Sequence, residues 1–68
     1  MTPRQHALQT ITFHVYSCAQ GWLDGDGRFT QVFTDARSFE AYTLARSMRD
    51  ALAVEQEHEA FLVFACIP

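Results

Sequence analysis

The stretch that decides the fold is Ala60-Phe61-Leu62-Val63-Phe64-Ala65-Cys66-Ile67, eight residues uninterrupted by a charged or amide side chain. A β-strand sends successive side chains to opposite faces, so a strand here is apolar on both. One helix covers only one of those faces. The other requires a second subunit, a partner, or a covering loop.

Upstream of this strand the pattern is helical. Ala41, Leu44, Ala45, Met48, Ala51 and Leu52 recur at helical spacing, with Glu40, Thr43, Ser47 and Asp50 on the opposite side. Ser38 reads as an N-cap with Glu40 in the first turn, which predicts a helix over 38–55. Arg46 and Asp50 stand one helical turn apart and are expected to pair. Glu55-Gln56-Glu57-His58-Glu59 is a polar exit into the last strand, over about 60–67.

Before the helix the period is two. Ile11, Phe13 and Val15 alternate with Thr10, Thr12, His14 and Tyr16, which predicts a strand over 8–18 with the first set facing the core. Gln20-Gly21-Trp22-Leu23-Asp24-Gly25-Asp26-Gly27 holds two Asp-Gly pairs and reads as a hairpin loop. Arg28–Thr34 reads as the second strand, with Val32 inward and Phe29 and Phe33 outward, a register that a bulge would reverse. Residues 1–6 read as a flexible arm.

The expectation is a single α+β domain over 1–68: a three-stranded sheet in β-β-α-β order with one helix on one face. The last strand runs parallel to the second, and the first is antiparallel to both. The order of the strands is open, and the two-sided apolar character of the last favours a central position or a subunit contact. Dimerisation is expected through the uncovered face or a strand edge.

Sixty-eight residues bury a core with little margin. An apolar content of 49% fits a folded domain. The net charge of −3 argues against a phosphate-backbone binder, which carries a basic face. All the basic residues are arginine (Arg4, Arg28, Arg37, Arg46 and Arg49). No stretch reaches the ~20 apolar residues of a membrane span. Nothing at Met1–His6 reads as a signal core, so cytoplasmic residence with reduced thiols is expected. Cys18 and Cys66 fall at opposite ends of oppositely directed strands, which predicts free thiols, Cys66 buried and Cys18 near the hairpin.

No motif carries chemistry. Asp24-Gly25-Asp26-Gly27 matches part of an EF-hand loop, but Trp22 and Phe33 fall where the first and last ligands belong. His14 and Cys18 on one strand stand ~13 Å apart, too far to share an ion. His58 sits in a solvated acidic loop. Ser17, Cys18 and His14 are neighbours, yet a small strand offers no pocket and no oxyanion donors. No catalytic residue, cofactor or metal is expected.

What remains is the sheet face away from the helix. In this register it carries Thr12, His14 and Tyr16, then Phe29, Gln31 and Phe33, then Leu62, Phe64 and Cys66. A contiguous exposed apolar patch of that kind marks an interaction surface, unless the arm or the hairpin loop folds over it. The expected protein interface is Tyr16, Phe29, Phe33, Leu62 and Phe64, with Trp22 and Arg28 at the rim. Aromatics on an open sheet also stack nucleic-acid bases, but few basic residues accompany them here.

The run of Phe13-His14-Val15-Tyr16, Asp26-Gly27-Arg28-Phe29, Ala36-Arg37-Ser38-Phe39-Glu40-Ala41 and Phe61-Leu62-Val63-Phe64 resembles small proteins of phages and mobile elements, several anti-CRISPR inhibitors among them. The resemblance is one of layout and covers about residues 11–67. It implies a noncatalytic protein that binds and inhibits a bacterial host complex. A weaker resemblance, to HicB-type antitoxins, rests on a small sheet placed before an alanine-rich helix.

Overall fold

The computed structural model describes residues 11–67. The element order is β1 (Thr12–Ser17), β2 (Gly21–Leu23), β3 (Phe29–Thr30), a 3-10 turn (Phe33–Asp35), α1 (Tyr42–Glu55) and β4 (Phe61–Cys66). The four strands form one antiparallel sheet in the order β3-β2-β1-β4, with α1 packed across β1 and β4. The class is the expected α+β with one helix, but the sheet has one strand more than the sequence suggested.

The additional strand lies inside the segment read as a hairpin loop. Two devices place it there. Ser17 turns the chain sharply: its hydroxyl oxygen accepts from the backbone N–H of Ala19 (3.3 Å) and of Gln20 (3.0 Å). Gly21 then adopts φ +102°, and a Cβ there would lie 2.5 Å from the Thr30 carbonyl oxygen. Glycine alone allows both that dihedral and that approach. Trp22 and Leu23 thereby enter the sheet, opposite Thr30 and Phe29. The Asp-Gly pairs form the next turn, where Asp24 Oδ1 accepts from the N–H groups of Asp26 (2.8 Å) and Arg28 (2.9 Å).

The expected second strand, 28–34, is cut short. Only Phe29 and Thr30 pair. Thr30 Oγ1 accepts from the Val32 N–H (3.1 Å), and the chain winds into the 3-10 turn. Val32, expected inward, is therefore exposed. Each hairpin reverses the chain, so the additional strand also changes directions: β4 runs parallel to β2 and against β3. It lies beside β1 at the edge, and β1 is central, so the central position favoured for the last strand is not observed.

Helix α1 begins later than expected. Phe39 exchanges backbone hydrogen bonds with Phe13 (2.9 and 2.8 Å), which holds the chain extended and leaves Ser38 and Glu40 outside the helix. Ala41 is the N-cap, with no side-chain capping bond. Arg46 and Asp50 do approach, at 3.8 Å, and Arg49 also pairs with Asp50 at 2.8 Å. Both are surface pairs of small energetic weight.

The core joins Val15, Leu23, Phe39, Ala45 and Phe61, with Phe13, Phe29, Met48, Leu52 and Val63 packed against it. Phe13 and Val15 face inward as expected; Ile11 and Leu44 do not, and both are exposed. Ala45 at the contact lets the helix backbone come close to the sheet. Cys18 and Cys66 are free thiols near opposite ends of β1, as expected, although Cys66 is half-buried rather than buried. The arm at 1–6 and residues 8–10 of the expected first strand lie outside the described residues.

Candidate interaction face

Face identity follows from register. Val15 opposes Val63 and Leu23 opposes Phe29, all toward the helix. His14 opposes Phe64 and Tyr16 opposes both Leu62 and Trp22, all away from it. The second face thus collects aromatics from β1, β2 and β4.

Trp22 is their hub. Its ring lies edge-on to Tyr16 (4.8 Å between centroids), Phe33 (4.9 Å), Phe64 (5.6 Å) and His14 (6.1 Å). Tyr16 also meets Phe64 at 5.8 Å, and Phe33 meets His14 at 4.8 Å. These distances and tilted planes are those in which the positive ring edge meets the negative ring face, each worth about 1 kcal/mol beyond area burial.

His14 anchors the cluster from beneath. It is 5% exposed, under Phe33 and Trp22. Its Nδ1 lies 3.0 Å from the Arg37 carbonyl, which can only accept, so Nδ1 carries a hydrogen. Its Nε2 meets the Thr12 hydroxyl at 2.9 Å. A buried imidazole with both nitrogens satisfied holds the 33–37 segment against the sheet and is not poised for chemistry.

The segment after β3 therefore covers part of this face, and Phe33 forms its upper surface. The β4 side stays open: Leu62 is 45% and Phe64 43% exposed, and Phe33 itself 41%. Tyr16 and Trp22 are half-buried between them.

Of the residues expected at the interface, Tyr16, Trp22, Phe33, Leu62 and Phe64 share this face, with Trp22 at the centre and not at the rim. Phe29 does not belong. It faces the helix side, its ring 6.0 Å from that of Phe61, because the chain leaves the strand at Val32 and sends Phe29 and Phe33 to opposite faces. Arg28 sits exposed in the β2–β3 turn, tied through its backbone to Asp24. His14 was legible as a member of the face, but its anchoring role depends on Arg37, twenty-three residues away.

Among the described residues, one open concavity lies along Glu55–Glu59, and another, of about 330 Å³, is bordered by Phe39, Leu44 and Met48. Neither includes the aromatic face. Among the described residues no three His, Cys, Asp or Glu side chains converge to hold a metal ion. Among them, too, no helix is long and apolar enough to cross a membrane.

The fold and this face define a small α+β domain with an aromatic sheet surface. No family model, curated protein or solved structure matches the chain.

Proposed function

We propose that the chain is a noncatalytic protein-binding module that docks a protein partner on the aromatic face formed by Tyr16, Trp22, Phe33, Leu62 and Phe64. The observation that carries this reading is the pairing of a rigid aromatic hub with an open apolar margin on β4. Preorganised aromatics lose little conformational entropy on binding and are frequent interface anchors. The layout resemblance directs the search for the partner to bacterial host complexes, with inhibition of a defence system such as CRISPR as the biological role and the host cytoplasm as the place of action.

The test is capture from bacterial lysate with the wild-type chain and with Phe33→Ser, followed by binding of the captured complex with both proteins purified. The expected result is one complex that resists moderate salt and that the variant, still folded by circular dichroism, fails to bind. Equal binding by the variant removes the aromatic face from the function. Retention of RNA or DNA that falls steeply with salt instead assigns the face to base stacking.

A further inference from the structure

We propose that β4 is a self-pairing edge, and that two copies of the chain join antiparallel along it about a two-fold axis at Val63. The phase of the hydrogen bonds exposes that edge. The Cys18 N–H donates to the Ala60 carbonyl (3.1 Å), while Phe13 exchanges its bonds with Phe39 on the other side of β1. Carried along the β1–β4 register, this alternation turns Leu62, Phe64 and Cys66 toward β1. The N–H and C=O groups of Phe61, Val63 and Ala65 point outward, and among the described residues no other element pairs with β4.

Protein edges of this kind are ordinarily blunted by charge, proline or a bulge. Phe61–Cys66 has none of these: its sequence is uncharged, and its pairing with β1 runs unbroken from Ser17↔Phe61 to Thr12↔Cys66. A second copy fits it specifically. An axis at Val63 sets Val63 beside its counterpart and Phe61 opposite Ala65 of the second copy, a large side chain against a small one. It also sets Leu62 beside Phe64 of the second copy, so the two aromatic faces join into one surface that stays open to a partner. Every outward main-chain group of Phe61, Val63 and Ala65 then finds a partner. Each chain carries a net charge of −3, which opposes association elsewhere but not along this uncharged strand. A two-fold contact of this type closes on itself and stops at the dimer.

The test is molar mass by light scattering on the full chain, wild type against Ala65→Pro and Ala65→Lys. Proline at 65 removes an outward N–H and leaves the β1 ladder whole. Lysine places a charge at an exposed position of the edge. The expected result is a dimer for the wild type and half that mass for each variant that keeps the wild-type circular dichroism spectrum; should the proline variant unfold, the lysine variant decides. A monomeric wild type, or a dimer that persists in folded Ala65→Lys, overturns the proposal. Phe33→Ser leaves the dimer intact, which separates this edge from the partner-binding reading of the face.

Discussion

Replacing Ser17 by alanine should cost more stability than its size suggests. Ser17 is fully buried, and its hydroxyl does three things: it donates to the Glu59 carboxylate, and it accepts from the N–H groups of Ala19 and Gln20. It thereby joins the β1–β2 turn to the residues leading into β4. The bond to an ionised acceptor is worth about 1.5–3 kcal/mol, and a stranded backbone donor adds about 1 kcal/mol. Part of this is recovered. Ala19 keeps a second bond to Glu59 Oε2 (3.1 Å), and Glu59, half-buried, regains water. The net expectation is about 2–3 kcal/mol. A domain of this size has roughly 3–10 kcal/mol in total, and each kcal/mol moves its Tm by about 4–8 °C. Ser17→Ala should therefore melt roughly 8–24 °C below the wild type. Urea unfolding followed by circular dichroism measures this directly, with the m-value expected unchanged. Glu59→Gln is the control: its amide oxygen still accepts, so the loss should be about 1 kcal/mol. A loss below about 0.5 kcal/mol for Ser17→Ala, or a larger loss for Glu59→Gln, would refute the reasoning.

The two positive-φ glycines should behave differently. Gly27→Ala meets open space at φ +84° and should lose only the dihedral cost of about 1–2 kcal/mol, whereas Gly21→Ala adds a clash with the Thr30 carbonyl and should detach β3, read as lost amide protection at Trp22 and Thr30. Asp24→Ala deprives two backbone N–H groups of their acceptor in a solvated turn and should cost about 1 kcal/mol by thermal unfolding. His14→Leu leaves the Arg37 carbonyl without its donor beneath Phe33; a destabilisation of about 1–3 kcal/mol and a shift of the Trp22 fluorescence maximum are expected, and an unchanged spectrum would count against the anchoring role.

Much of the candidate face was legible because strand alternation is a local property. His14 and Tyr16 fall on one side of β1 and Phe13 and Val15 on the other wherever the strand is placed. Leu62 and Phe64 follow by the same rule. Trp22 was harder. Its position at the hub depends on Gly21 approaching Thr30, a contact between segments that local patterning does not join. Phe29 and Phe33 share a face only if alternation continues through Val32, whereas the Thr30 hydroxyl captures the Val32 N–H and ends the strand. The late start of α1 has a similar origin: Ser38 has the chemistry of a cap, but Phe39 is held in extended form by Phe13.

By itself the sequence determined an α+β chain with a two-sided apolar last strand, one amphipathic helix and a first strand whose faces differ in polarity. These follow from the period of side chains along one segment. Tertiary structure alone decided that the glycine-rich loop holds a strand, that β1 is central and β4 an edge, and that one aromatic cluster forms where two phenylalanines part company. Strands of two or three residues have no independent stability or signature, and pairing partners are chosen by closure of loops and by packing. The excess face of Ala60–Ile67 was visible in the chain; the open edge beside it was not, because an edge exists only once every neighbour has been placed.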